Sequence, residues 1–156
     1  MKVEPSPATV FRAGLPEDAA AIHSLLLRSN LCAPAVGDLE RATHARIGEI
    51  TSCVVEKGGQ VFGVLQWCNL GEEVEILDLA VDPDCRRQGH AAFLLRNFLR
   101  CTAESAGKKI FLEVRESNAA AIALYQKFGF EISGRRPHYY RNPEEDALLM
   151  VLATKA

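Results

Sequence analysis

Apolar positions recur along this chain with two periods, and the changes from one to the other outline its elements. "ATVFRAG" is a short run of strand type. "LPEDAAAIHSLLLRSN" follows, with Pro16 near a helix start, Glu17 and Asp18 in the first turn, and Ile22, Leu25 and Leu26 at helical spacing. From Leu31 to Glu49 the pattern is broken by "APAVGD", and "LERATHARIGE" is long enough for a short second helix. "TSCVVEK", the Gly58-Gly59 turn and "QVFGVLQWCN" predict a hairpin of β-branched and aromatic residues. "EEVEILDLAV" adds a third strand of antiparallel type, stopped by Asp82-Pro83.

From Ala91 the period lengthens. Leu94, Leu95, Phe98 and Leu99 predict a helix that ends at Gly107. The strand "KIFLEV", a helix from Asn118 to Phe128 and two strands around "FEISG" and "ALLMVLA" complete the order. Strands that first meander and later alternate with helices predict an α/β (α+β) domain, a mixed sheet with helices on its faces.

Composition changes this picture only by exclusion. The 156 residues, 48% hydrophobic and 24% charged, suit one domain over residues 1–156 with a single core. A formal net charge of -2 gives no global attraction to nucleic acid or to an anionic membrane surface. Cys32, Cys53, Cys68, Cys85 and Cys101 include no C-x-x-C pair, and their odd number argues against a disulfide framework or a zinc site. Reduced thiols in a cytoplasm are the expectation. No apolar run reaches the span of a bilayer, and "MKVEPSPATVF" lacks the core of a signal peptide.

Two stretches carry candidate chemistry. "VDPDCRRQGHAAFLL" runs from a strand through a polar, glycine-bearing turn into a helix N-terminus, where unpaired amides and the positive end of the helix dipole suit a phosphate group. Gly89 permits close approach of the backbone, and Arg86 and Arg87 add charge. The stretch is neither G-x-x-x-x-G-K-[ST] nor G-x-G-x-x-G, so an ATP-hydrolysing loop and a dinucleotide fold lose their main support, and a plain solvated helix cap stays open. "FLEVRESNAAAIALYQKFGF" sets a lone carboxylate, Glu113, in an apolar strand. On pattern alone Glu113 fits a solvated sheet face or an ion pair with an arginine, Tyr125 fits an apolar helix stripe, and Asn118 fits an N-cap.

The run Arg86-x-x-Gly89-x-Ala91 after "LAVDP" resembles the acetyl-CoA signature (Q/R-x-x-G-x-G/A) of the GNAT superfamily of N-acetyltransferases. Over Asp78 to Leu152, "LAVDPDCRRQG", "LEVRESNAAAIALYQKFGF" and "HYYRNPEEDALLM" are similar to one branch of it, the RimI family of ribosomal-protein-alanine N-acetyltransferases. The resemblance implies a mixed, mostly antiparallel central sheet of about six or seven strands flanked by about four helices. It implies acetyl-CoA as cofactor, with Leu79, Ala80 and Val81 along the pantetheine arm and the amides of Arg87, Gln88, Gly89, His90, Ala91 and Ala92 at the pyrophosphate. Arg86 and Asn118 complete that set. Glu113 matches the family's base and Tyr125 its acid, which lies against the cofactor too. Tyr139 and Tyr140 match residues lining the acceptor groove.

The chemistry asks for such a pair. A free α-amine of pKa about 7.7 to 8.0 must lose a proton before it attacks a thioester, and the departing thiolate is helped by an acid. Asn118 and Tyr125, seven residues apart, stand about 10 Å apart along one line of a helix, so one extended arm could touch both. Glu75 and Asp78 are rival bases on the preceding strand, while Glu72 and Glu73 read as surface charge. His23, His44, His90 and His138 lack ligand spacing, and no metal is expected. Cys85 is read as incidental although its surroundings look electropositive. The stretch "LCAPAVGDLERATHARIG" lacks the proline-tryptophan element usual in the RimI family, and Arg141 stands where a proline is usual. Three functions stay open: acetylation of a protein N-terminus, acetylation of a small amine such as an amino acid, polyamine or drug, and a non-catalytic acetyl-CoA-binding module.

Overall fold

Seven strands form one sheet, ordered as the first, second, third, fourth, fifth, seventh and sixth along the chain. The computed structural model describes residues 6, 8–29, 31, 38, 47–103 and 108–153. Strand β1 (Val10–Ala13) leads through a one-turn 3-10 helix, Pro16–Asp18, into helix α1 (Ala19–Arg28). The hairpin is β2 (Ile50–Lys57) and β3 (Gln60–Asn69), turned at Gly58 and Gly59, both with positive φ that glycine adopts without strain. Strand β4 (Glu73–Val81) follows, then a 3-10 turn, Pro83–Cys85, and helix α2 (His90–Ala103). Strand β5 (Lys109–Arg115), helix α3 (Ala119–Lys127), β6 (Glu131–Tyr140) and β7 (Glu145–Ala153) close the chain. The end of α2 at Gly107 lies outside the described residues, as does most of the second helix expected within Leu31 to Glu49; there Asp38 is helical, whereas Ile47 forms an isolated bridge to Asn69 and Gly48 a turn.

Every neighbouring pair of strands is antiparallel except β4 and β5. That parallel pair requires a crossover, which α2 supplies. It is also short. Pairing runs from Glu73↔Lys109 to Ile76↔Leu112 and stops, leaving Leu77 to Val81 and Glu113 to Arg115 without each other. The cause lies on the other side of β4. Between Gln66↔Asp78 and Trp67↔Ile76 the register shifts by one residue, so Leu77 is an extra residue on β4. A bulge of this kind bends its strand and inverts which face the following side chains meet. Up to Ile76 the buried residues of β4 join the α2 side; beyond Leu77, Ala80 joins the α1 side. The bulge had no visible signal in the sequence.

Two apolar clusters hold the layers together. Ala19, Ile22, Leu25 and Leu26 of α1 pack on Val54, Val64 and Ala80. On the opposite face Leu94, Leu95 and Phe98 of α2 pack with Val55, Leu65, Ile76, Leu112 and Met150. Alternation along β2 and β3 puts successive residues into different clusters, as a sheet covered on both faces requires. Gly63 lets α2 approach β3: a Cβ there would stand 2.6 Å from Val55 Cγ2 and 3.1 Å from Leu94 Cδ1. We expect Gly63→Ala to destabilise the fold by about 1–3 kcal/mol through overpacking, read as a lower denaturant midpoint with an unchanged slope.

Candidate active site

The parting of β4 from β5 opens a slot, and two adjoining cavities occupy it. The first, of about 460 Å³, is lined by Leu79, Ala80 and Val81 on one side and by Asn118, Ala121, Leu124 and Tyr125 of α3 on the other. Its end is the turn of Arg86, Arg87, Gly89, His90, Ala91 and Ala92. Of the cofactor residues expected from sequence, Gln88 stands apart, lining a separate cavity beside the turn. The turn is shaped by its backbone. Arg87 and Gly89 both have positive φ, at 64° and 81°. The first helical bond runs from Phe93 N to Gly89 O, at 2.9 Å, so the amides of Gly89 to Ala92 precede the ladder with no intrahelical acceptor.

The two arginines of the turn differ. Arg86 donates from Nε to Val81 O at 3.0 Å and from Nη2 to Ser29 Oγ at 3.4 Å, so its side chain ties the turn to the end of β4 and to α1. Arg28, at the C-terminus of α1, reinforces this with an ion pair of 2.6 Å to Asp82. His90 is buried against Phe62 in an edge-on contact, ring centroids 4.6 Å apart, and burial lowers its pKa, which suits a packing residue. Asn118 Oδ1 accepts from Ala121 N at 3.2 Å and caps α3. The electropositive reading of Cys85 is corrected here: burial, followed by Asp82 and Asp84, pushes its thiol up. Cys53, Cys68, Cys85 and Cys101 are all free thiols, and Cys32 lies outside the described residues.

The second cavity, of about 600 Å³, continues from the first past Tyr125 and brings together Glu75, Asp78, Glu113, Tyr139 and Tyr140. Three carboxylates thus meet from two strands. Glu113 pairs with Arg136 Nε at 2.9 Å, the arginine partner that the pattern had left open. That guanidinium is 55% exposed in its side chain, so the pair is held weakly. Tyr139 stands edge-on to Tyr140 at 5.1 Å, and its hydrogen bond to Glu113, followed by burial, raises its pKa. The Arg115 guanidinium lies 4.3 Å from the centre of the Tyr140 ring and pairs with Glu145 at 3.2 Å. Burial pushes Tyr140 up to about 12.

Tyr125 is 7% exposed and meets Phe130 edge-on at 5.6 Å, so its ring belongs to the core while its position borders both cavities. Burial raises its pKa strongly, with Asp78 and Tyr140 adding to the effect. Burial likewise raises Glu75, with Glu113 as a second cause, and raises Asp78 to about 6. Glu72 and Glu73 are exposed, as expected. Reading from sequence missed Arg136 and Gln66. The second had a signal, since a carboxamide in "VFGVLQWCN" interrupts an apolar strand as Glu113 does.

Residues 19–130 match the Acetyltransferase (GNAT) family. The chain belongs to that family. The [Ribosomal protein bS18]-alanine N-acetyltransferase of Escherichia coli is 41% identical over 83 residues, 52% of this chain and 56% of the relative. The N-alpha-acetyltransferase RimI of Mycobacterium tuberculosis is 37% identical over 97 residues, 60% of each chain. These matches thus span a little over half the length of the curated relatives. Among solved structures, the ribosomal-protein-S18-alanine N-acetyltransferase of Escherichia coli superposes with a TM-score of 0.84 at 26% identity, covering 95% of both chains. The mixed, mostly antiparallel sheet expected from sequence is therefore the GNAT fold, here with seven strands and three helices described in full. No helix among the described residues is long and apolar enough to cross a membrane.

The raised pKa of Asp78 has a consequence for stability. A folded-state value near 6, above the ordinary value of 3.8, means that ionising Asp78 costs folding energy. This group's contribution is full below about pH 4 and is lost as pH rises through 6. We expect Asp78→Asn to raise the melting temperature at pH 7.5 by the equivalent of up to about 3 kcal/mol and to confer no advantage at pH 4. Thermal unfolding at both pH values checks it.

Proposed function

We propose that this chain is an acetyl-CoA-dependent N-acetyltransferase that moves an acetyl group directly onto a primary amine, with the N-terminal α-amine of a protein as acceptor. The observation that carries the reading is the slot where β4 and β5 part, bordered by unpaired helix amides at one end and by carboxylates and tyrosines at the other. The acceptor is supported by the names of the relatives, which specify alanine of ribosomal protein bS18 and an N-alpha-acetyltransferase. The reading takes residues 1–156 as one acetyltransferase domain acting in a cytoplasm, in keeping with four described cysteines left as thiols.

The residues present fit such a cofactor. The amides of Arg87 to Ala92 and the charge of Arg87 suit a pyrophosphate, and the unpaired edge of Leu79 to Val81 suits an extended arm that donates and accepts along a strand. Asn118 caps the helix facing that edge. Bound acetyl-CoA supplies an acyl group activated as a thioester. Glu113 would take a proton from the acceptor ammonium and so free the nitrogen lone pair for attack on the bound thioester. Tyr125, kept protonated by burial, gives its proton to the departing sulfur. An acceptor that starts as an ammonium sheds two protons on becoming an amide: the one taken by Glu113 passes on to solvent, and the one shed after acylation balances the proton that Tyr125 gives to the sulfur. No acyl-enzyme is needed, because none of these groups is a nucleophile beside a base and the Cys85 thiol is held protonated.

A panel of peptides with different first residues, run beside free amino acids and polyamines and read by thiol release, tests the reading. We expect turnover of a peptide beginning with alanine and none of the small amines. Turnover of the small amines alone would assign the site to a small-molecule acceptor, and cofactor binding without any turnover would make it a silent module.

Within that assay, Glu113→Gln should lower kcat by about 100-fold with cofactor affinity retained, and Tyr125→Phe should slow transfer in a folded protein. Full-speed turnover would return Glu113 to its ion pair with Arg136 and Tyr125 to the core.

A further inference from the structure

One carboxylate of the second cavity has no counter-charge among the described residues. Glu113 is answered by Arg136, and the same guanidinium acts favourably on Glu75. Asp78 is raised by burial alone, and among the described residues no cation pairs with it. Its setting is built. The register Ser52↔Gln66 on β2 and β3 continues as Gln66↔Asp78 on β3 and β4, so these three polar side chains share one face in a row that crosses the sheet to the slot. Gln66 is fully buried, and neither its Nε2 nor its Oε1 has a hydrogen-bond partner. A carboxamide stranded in this way costs free energy unless something at its open end completes it. The Leu77 bulge produces the row, because without the extra residue Asp78 would share the α2-side face with Ile76.

We propose that Asp78 is the side chain that holds the acceptor in its ammonium form, with Gln66 as a positioning residue behind it. The inference rests on the acetyltransferase reading and adds a substrate property to it: the acceptor enters as a cation. A half-buried carboxylate without a partner is destabilising, and an entering ammonium supplies the missing charge with three donors. Glu113 then takes the proton from a nitrogen that Asp78 has already fixed. The groups that share the row or the cavity with Asp78 are Gln66 from β3, Glu75 on its own strand, Glu113 and Arg115 from β5, Tyr125 from α3, and Tyr139 and Tyr140 from β6, with Arg136 paired to Glu113. Of these, the tyrosines have raised pKa values and keep their protons across the neutral range. Below pH 6 Asp78 gains its own while the α-amine is already fully protonated, so acceptor affinity falls there.

Steady-state kinetics of Asp78→Asn and wild type, with a peptide beginning with alanine at saturating acetyl-CoA, test this from pH 5 to 8. We expect Asp78→Asn to raise the peptide KM by about tenfold or more, to change kcat by less than about threefold, and to abolish the rise in KM below about pH 6. Asp78→Glu should recover part of the affinity and the acid limb. Gln66→Leu, which removes a buried carboxamide without opening space, should fold with unreduced stability and raise KM by a smaller factor. An Asp78→Asn enzyme that keeps the wild-type KM and its acid limb overturns the inference, as does one whose kcat alone falls. A wild-type chain that acetylates no amine of the panel overturns the acetyltransferase reading as well, so the two failures are distinguishable.

Discussion

The extra residue at Leu77 is the constraint on which the rest depends. A sheet of seven strands held together by backbone pairing has no room for a ligand within it. One unpaired residue on β4 ends the parallel ladder after four pairs, so that the strands leave each other at Ile76 and Leu112. The backbone groups of Leu77 to Val81 then face a cavity instead of a neighbouring strand. The same residue turns Asp78 and Ala80 to the α1 face. One local irregularity therefore opens the site and decides which side chains look into it.

Electrostatics in the opening follow from burial more than from charge count. Glu75, Asp78 and Glu113 crowd one cavity, and the sheet around them is too apolar to hold three free carboxylates. One is paired with a half-exposed guanidinium, and the other two have pKa values raised by burial. Such an arrangement is poised to take up a positive group, whereas the positive end of α2 and the αL residues of its leading turn are poised to take up a negative one. The two ends of the slot thus suit groups of opposite charge, as the proposed transfer from an anionic carrier to an amine requires.

Much of this was legible from the order of residues. The Gly58-Gly59 hairpin and α2 follow from periodicity, and Glu113 announced itself as a charge among apolar neighbours. Its relation to Tyr125 came from a family motif, since a tyrosine with Phe130 at its edge looks like core on any pattern. Three features left no trace. The bulge was hidden because "EILDLAV" is apolar on both sides of the slip and carries no turn residue to mark it. Strand β6 runs on to Tyr140, beyond the segment around "FEISG", because its exposed residues have no alternation to read, and the register break between Arg136 and Tyr140 is absorbed by the left-handed His138. Arg136 was anonymous for the same reason.

The turn before α2 carries a consequence for how the chain tolerates change. Its concavity comes from the path of the main chain, with Arg87 and Gly89 in the left-handed region and Arg86 spent on Val81 and Ser29. Every residue but proline carries an amide N–H, so other side chains along the turn can be exchanged without removing a single backbone donor, provided the path is kept. Left-handed Arg87 and Gly89 and the anchoring Arg86 define that path. A survey of substitutions that looks for loss of contacts would pass over most of the turn as neutral, and the part of the molecule most directly shaped for an anion would be the part least visible to it.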